Sequence, residues 1–239
     1  MLDNIVILGS HLANAHHAAP LQLAEALAAR HTVLYVEPFG YESKEVVRRG
    51  RDDDYRAYHT SLRQSAAGMK ILSPVARLLP EPNLYRWLML GMVERINATR
   101  ITEEVEWALR TLGIGEYTLL LDTPALRHSI AVELLSPRSL FLLRWQEDGR
   151  KSDEEKTTER EIFMQCDAIL TTSEALSELP RRHNYHTFNI SGGLSDRTPH
   201  PTEEIWRGAA RRVEAVAEML ESSERVGKRS RLRKERILS

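Results

Sequence analysis

The sequence predicts an α/β fold, a Rossmann-like parallel sheet with helices on both faces, followed by a C-terminal helix. Short apolar runs rich in Val, Ile and Leu alternate with stretches of helical periodicity, which is typical of βαβ crossover units. Most of these runs lack polar alternation, as strands that are covered on both faces do. At 239 residues, 42% of them hydrophobic, the chain has enough apolar material for one large domain.

Seven candidate strands and six candidate helices follow from this pattern. The predicted strands span residues 4–8, 32–36, 70–72, 117–121, 139–143, 167–170 and 186–190. The predicted helices span residues 20–30, 84–112, 125–135, 154–165, 173–179 and 203–220.

The composition changes near residue 196 and divides the chain. Residues 1–196 form the predicted domain, and residues 197–202, with two prolines, form a linker. The amphipathic helix that follows, over 203–221, carries Trp206, Val213 and Val216 on one stripe, so we expect it to pack on the domain or on a second copy. The basic tail, residues 222–239, is expected to be disordered. Contact of this tail with a membrane surface is the less favoured alternative.

Charge and composition exclude several classes of protein. The net charge of −1 provides no general attraction for nucleic acid, so no nucleic-acid partner is expected. A single cysteine, Cys166, rules out an internal disulfide framework and a cysteine zinc cluster, and fits a reducing compartment. The sequence shows no signal peptide and no apolar run of the roughly 18 residues that cross a bilayer. We therefore expect a soluble, cytoplasmic protein.

Parallel sheets of this class bind ligands at the carboxyl ends of their strands. This rule selects the loops at residues 9–17, 37–41, 122–124, 144–148 and 171–173. In the first loop Gly9 stands alone where a dinucleotide fold has three glycines, so no NAD or FAD and no other cofactor is predicted. Ser10 and the backbone N–H groups are placed to meet a phosphate or a sugar. An ordinary turn with exposed histidines is the equally weighted alternative.

The other loops offer a few polar candidates. His11, His16 and His17 have no carboxylate or cysteine at a metal-ligand spacing, so no metal site is predicted, although one of them is a candidate general base. Asp122 follows a strand and either contacts a ligand or caps the next helix, with the cap favoured. Glu147 and Asp148 form an acidic pair that either holds sugar hydroxyls and takes a proton or belongs to a solvated loop, which is favoured.

Several segments, taken in order, resemble a known family. They are Ile5-Val6-Ile7-Leu8-Gly9-Ser10, the stretch 20–28 followed by Val33-Leu34-Tyr35-Val36-Glu37-Pro38, the strand ending in Asp122-Thr123-Pro124, residues 159–176 with Thr171-Thr172-Ser173, and Asn189-Ile190-Ser191-Gly192-Gly193. Together they resemble the N-terminal, acceptor-side domain of GT-B glycosyltransferases of the glycosyl-transferase group 1 type. Ala19 replaces the Arg of the family's R-P-Q motif, and Arg144 and Trp145 occupy the region of its Tyr-Asp pair.

The resemblance implies a strand order of 3-2-1-4-5-6-7 and glycosyl transfer from a nucleotide-sugar without a tightly bound metal. Loop position and resemblance together make His11 and Asp148 the candidate catalytic residues. The candidate substrate-binding residues are Gly9, Ser10, His16, Asp122, Glu147 and Ser173.

Enzymes of this family hold the nucleotide-sugar in a second Rossmann domain, for which the sequence offers no counterpart. The helix around Ile205 and Trp206 resembles the one that closes such enzymes back onto their N-terminal domain. The predicted function is therefore that of an acceptor-side half, inactive alone, which forms a homo-oligomer or pairs with a donor-binding chain. The alternative is a non-catalytic binding or partner module. A Rossmann enzyme that uses NAD is disfavoured by the missing glycines.

Overall fold

A sheet of eight strands organises the computed structural model, which describes residues 3–13, 18–40, 61–79, 86–122, 126–145, 153–191 and 203–238. For residues 86–90, 126–129, 153–155, 158 and 224–238 it describes the backbone only. The strands are β1 (Asn4–Leu8), β2 (Thr32–Val36), β3 (Ser61–Gln64), β4 (Lys70–Ser73), β5 (Thr118–Leu121), β6 (Ser139–Arg144), β7 (Ala168–Thr171) and β8 (Thr187–Asn189). The helices are α1 (Ala19–Ala28), α2 (Arg86–Leu112), α3 (Leu126–Leu135), α4 (Asp153–Gln165), α5 (Glu174–Arg181) and α6 (Glu203–Leu238).

The strands lie in the order β3-β4-β2-β1-β5-β6-β7-β8, and every neighbouring pair is parallel except β3 and β4. For the seven predicted strands this is the order 3-2-1-4-5-6-7, so that prediction is confirmed. The additional strand, β3, is a short edge strand of mainly exposed, polar residues, and the sequence pattern did not reveal it. The order of the strands reverses between β1 and β5, and such a switch point is where open parallel sheets bind their ligands.

Both faces of the sheet are buried, as the continuous apolar runs predicted. On one face, Ile5 and Ile7 of β1 belong to a core that includes residues of α1 and α6. On the other face, Val6 and Leu8 belong to a core that includes residues of α2, α3 and α4. Successive residues of β1 thus enter opposite layers, as the alternation of side chains along a strand requires. Helices on both faces of a parallel sheet are confirmed.

The C-terminal helix α6 packs on the same face as α1. Trp206 is only 4% exposed, and Val213 and Val216 are buried with it, which confirms the predicted packing stripe. Burial of Trp206 contributes roughly 2–3 kcal/mol from apolar area. The helix continues to Leu238, well beyond the end that the apolar pattern indicated.

None of the helices in the described part of the chain combines the length and apolar character needed to cross a bilayer.

Candidate functional site

The loop after β1 lies at the switch point and is held along its length. Gly9, Ser10, His11 and Ala13 each form a hydrogen bond through the backbone. These bonds are Gly9 N–H to the carbonyl of Val36 (2.9 Å), Ser10 N–H to Oδ2 of Asp122 (2.9 Å), the Tyr35 hydroxyl to the carbonyl of His11 (2.8 Å), and Ala13 N–H to Oε1 of Glu37 (2.8 Å). The ends of β2 and β5 therefore fix the position of this loop before any ligand binds, which is the support that a functional loop requires.

Ser10 connects a buried carboxylate to a half-exposed imidazole. Its hydroxyl donates to Oδ2 of Asp122 and lies 2.7 Å from Nδ1 of His11. The Asp122 side chain is 2% exposed and the His11 side chain 50% exposed. The sequence predicted all three as site residues, and the structure brings them together.

The order of these contacts determines what the histidine can do. A hydroxyl has one hydrogen, which Ser10 donates to Asp122, so its oxygen accepts a hydrogen bond from Nδ1–H of His11. The neutral imidazole then carries its free lone pair on Nε2. In the Ser-His-Asp triad of hydrolases the histidine stands between the other two and takes the proton of the serine. Here the serine stands in the middle, so the histidine, and not the hydroxyl, is the group presented for reaction.

Burial raises the pKa of Asp122 above the usual value of an aspartate, although several contacts favour its charged form. These are the two hydrogen bonds from Ser10, the positive charge of protonated His11 and the indole of Trp145. A buried carboxyl with a raised pKa and specific partners, at the ligand-binding edge of a sheet, is typical of a functional site. Burial also raises the pKa of Tyr35, so its hydroxyl keeps the proton that it donates to His11.

Glu37 directly follows β2, at the position where dinucleotide-binding folds place the acid that holds a ribose. In this chain it is buried, and protein groups engage both of its oxygens. Oε1 accepts from Ala13 N–H and from Nη2 of Arg63 (2.7 Å), and Oε2 accepts from the hydroxyl of Ser73. Glu37 therefore ties the β1–α1 loop to the β3–β4 hairpin.

The remaining predicted site residues have different outcomes. Oδ2 of Asp122 accepts from both donors of Ser10, and residues 123–125, between Asp122 and α3, lie outside the described part of the chain, so the helix-cap interpretation of Asp122 stays a prediction. Ser173 caps α5, where its hydroxyl accepts from the N–H of Leu176 (3.2 Å), and its role in substrate binding stays a prediction. His16, Glu147 and Asp148 lie outside the described residues, so their roles also stay predictions.

Two tryptophans extend the site, and no local pattern in the sequence indicated that they meet. Trp145 follows β6, and its indole contacts that of Trp206 from α6 edge to face, with the ring centroids 5.8 Å apart.

The side chain of Arg144, the residue before Trp145, contacts the helix α4. Its Nη2 lies 3.6 Å from Oε1 of the buried Glu159, and its guanidinium lies 5.7 Å from the ring centre of Phe163. Arg144 thus contributes to the packing of α4 against the sheet.

No protein-family model matches the chain, and no curated protein matches its sequence. Within the described ranges, no three side chains of His, Cys, Asp or Glu come together as metal ligands. The geometry around Ser10 is therefore the main indication of a function.

Proposed function

We propose that this chain is the acceptor-side half of a GT-B-type glycosyltransferase, in which His11 acts as the general base for the acceptor hydroxyl. One observation carries the proposal. A half-exposed imidazole at the switch point of the sheet is linked through Ser10 to a buried carboxylate, Asp122. A histidine held in this way has a fixed tautomer and presents Nε2 as the nitrogen that accepts a proton, as a general base needs.

The chemistry follows from these three residues. The acceptor oxygen attacks the anomeric carbon of a nucleotide-sugar while Nε2 of His11 takes the proton of the hydroxyl. The bond from the sugar to the diphosphate breaks, and its electron pair leaves with the nucleotide. The imidazolium that forms keeps its hydrogen bond from Nδ1–H to the hydroxyl oxygen of Ser10. The carboxylate of Asp122 stabilises the positive charge of the imidazolium through the serine.

The donor must be held by other groups. A departing diphosphate needs positioned hydrogen-bond donors or cations. Arg63, on the hairpin tied to the loop, is already paired with Glu37. We therefore propose that a donor-binding partner, a separate chain or a second copy, meets the sheet at this edge. Leu12, next to His11, is 53% exposed and would be covered by such a partner.

Transfer assays test this function. Purified chain is mixed with UDP-, GDP- and dTDP-sugars and a set of sugar acceptors, with and without the co-expressed products of neighbouring genes, and nucleoside diphosphate release is measured. We expect turnover only when a donor-binding chain is present. His11→Ala should lower it by about 10²–10⁴-fold, the usual contribution of a general base. His186→Ala, just before the edge strand β8, is the matched control and should leave the turnover unchanged.

Two outcomes would contradict the proposal. Turnover that is the same in His11→Ala as in the wild type would exclude the histidine as the base. Binding of a sugar or a nucleotide-sugar without transfer in any combination would instead identify a non-catalytic binding module.

A further inference from the structure

The charge of this chain is distributed very unevenly along its sequence. Residues 222–239 contain seven Lys and Arg against two Glu, a net charge of +5, so residues 1–221 carry a net charge of −6. The overall value of −1 provides no general attraction for nucleic acid, but it averages two parts of opposite sign. Since salt limits the reach of a charge, the basic segment has to be considered by itself.

The helix α6 carries this basic segment past the edge of the sheet. Trp206 contacts Trp145 at the carboxyl edge, and Oε1 of Glu221 lies 3.1 Å from Nη2 of Arg138, the residue before β6, at the amino edge. The helix thus crosses the sheet between these two contacts. Residues 222–238 continue the same helix and, at 1.5 Å per residue, extend about 25 Å further.

This length separates most of the basic segment from the acidic domain. At physiological ionic strength the charge of the domain is largely screened beyond ~8 Å, the rise of about five residues of helix. The part of α6 that follows residue 227 therefore lies mostly outside the range of the domain's negative charge. Its cations remain close enough to one another to attract an anionic partner together.

Helical spacing places four arginines of the segment on one face of α6. Arg225, Arg229, Arg233 and Arg236 follow one another at intervals of four, four and three residues, and together they span about 17 Å of the helix axis. Like charges at these intervals repel one another and weaken a free helix. A partner with repeated negative charges relieves this repulsion, and guanidinium groups bind phosphate oxygens in bidentate pairs. The arginine face therefore suits a chain of phosphate groups.

Membrane surfaces and nucleic acids both present repeated phosphates, and the apolar residues of the segment distinguish between them. A helix that lies in a membrane interface buries an apolar face, commonly with Trp, Phe or Leu. Residues 222–238 contain no aromatic residue. Helical spacing distributes their aliphatic residues over three different sides, with Val226 and Ile237 on one, Leu232 on the second and Leu238 on the third. Binding to a nucleic-acid backbone needs cations and no apolar face.

We propose that residues 222–238 of α6 form a binding surface for the phosphodiester backbone of nucleic acid, which they contact independently of base sequence. The arginine face and three further cations, Lys228, Arg231 and Lys234, provide up to seven phosphate contacts. The surface extends from the amino edge of the sheet, whereas His11 lies at the carboxyl edge. Nucleic-acid binding is therefore separate from the proposed glycosyl transfer, and neither depends on the other.

Fluorescence anisotropy of the full chain with a labelled DNA duplex and a labelled single-stranded RNA, each of mixed sequence, measures this binding over a series of KCl concentrations. We expect a Kd of roughly 10⁻⁴–10⁻⁶ M at physiological salt and an affinity that falls steeply as salt rises. The combined variant R225Q/R229Q/R233Q/R236Q should bind at least about tenfold more weakly. For the duplex, the slope of log affinity against log salt concentration should become shallower by about 3–4, at ~0.9 for each lost contact.

A matched control separates the segment from the total charge. R95Q/R110Q/R182Q/R211Q removes the same four charges from exposed positions of residues 1–221 and should change the affinity by less than about threefold. A second variant of the segment, K228Q/R231Q/K234Q, should make the slope shallower by about 2–3. It tests the same surface if the fourfold arginine variant does not fold.

Three results would overturn the proposal. The first is no binding of either nucleic acid at the lowest salt concentration, and the second is an equal loss in the segment variants and the control. The third is tighter binding to vesicles that contain phosphatidylserine than to either nucleic acid at the same salt concentration, which would identify a membrane contact. A preference for the duplex or for the RNA supports the surface in either case and identifies which nucleic acid it binds.

Discussion

A Cβ atom on residue 9 would overlap the hydroxyl oxygen of Tyr35 and the ring carbon that bears it. Tyr35 is fully buried, and its hydroxyl donates a hydrogen bond to the carbonyl of His11. Gly9 is therefore required for packing, since the tyrosine that supports the β1–α1 loop occupies the space of a side chain. In dinucleotide-binding folds, the glycines of this loop let a pyrophosphate come close to the backbone. Here the side chain of Tyr35 comes close to the backbone at Gly9 instead.

The first prediction concerns this contact. Gly9→Ala should lower the free energy of unfolding by about 1–3 kcal/mol, the usual effect of overpacking a filled site. Gly115→Ala is the control and should be close to neutral, because no heavy atom lies within 4 Å of the position that a Cβ atom would take there. In a double-mutant cycle by urea denaturation, Gly9→Ala combined with Tyr35→Leu should lose clearly less than the sum of the single changes. Additive losses would contradict the clash.

A second prediction follows from the raised pKa of Asp122, which is caused mainly by burial. Between the ordinary and the raised pKa, the folded chain holds a proton that the unfolded chain has released. The free energy of unfolding therefore falls as the pH rises through this window, and the stabilisation is complete only below the ordinary pKa of about 4. Asp122→Asn has no titrating group at this position and lacks this dependence.

Urea denaturation of both proteins across this pH range measures the effect. With rising pH, the difference in free energy of unfolding should move in favour of Asp122→Asn, by at most ~1.4 kcal/mol per pH unit. It should become constant once the pH exceeds the raised pKa. A difference that does not vary with pH, or that moves towards the wild type, would show that the pKa of Asp122 is not raised.

A third prediction concerns the docking of α6 on α1. Glu214 accepts from Nε2 of His31 (2.9 Å) and from Nη1 of Arg30 (2.5 Å). Arg30 is largely exposed, so its ion pair contributes little, whereas His31 and Glu214 are mostly buried. Glu214→Gln should therefore lower the free energy of unfolding by about 1–2 kcal/mol. Glu218→Gln, one turn further along an exposed face, should change it by less than about 0.5 kcal/mol. Equal losses in the two variants would contradict a specific role of Glu214.

The fourth prediction is that the purified chain alone does not transfer sugar at an enzymatic rate. Glycosyl transfer needs the diphosphate stabilised and the anomeric carbon held close to the acceptor oxygen. In the described part of the chain, the carboxyl edge of the sheet presents His11, Ser10 and Asp122. These residues suit the binding of an acceptor hydroxyl and the removal of its proton. Assays with UDP-, GDP- and dTDP-sugars and the chain alone measure this. Rapid turnover that disappears in His11→Ala or Asp148→Ala would instead make the chain a complete one-domain transferase.

The fold could be predicted because its determining signals are local. Each of the seven predicted strands is a short apolar run, and the buried faces of β1 and β6 appear directly in the sequence. The strand β3 was missed for the same reason, since Ser61–Gln64 is polar and pairs at an exposed edge. The end of α6 was placed too early because the apolar stripe stops near Leu220 while good helix formers continue.

The site could be predicted residue by residue but not as an arrangement. Strand ends identified His11, Ser10 and Asp122 separately. Their contact joins residues more than a hundred positions apart, and it depends on β1 and β5 being neighbours. The meeting of Trp145 with Trp206 depends in addition on the path of α6 across the sheet, which no local pattern specifies. The roles of Tyr35 and Glu37 were missed because both residues act only by supporting the loop.

The packing of α6 also has a consequence for biosynthesis. The face of the sheet that contains Ile5 and Tyr35 is covered in part by Trp206 and Val213, which are translated about 200 residues later. At roughly 5–20 residues per second, this face of the nascent chain lacks that cover for on the order of 10–40 s after β1 has been made. Chaperones that bind apolar segments should therefore engage this chain during translation, and messages truncated before the codon for residue 203 should yield protein that aggregates.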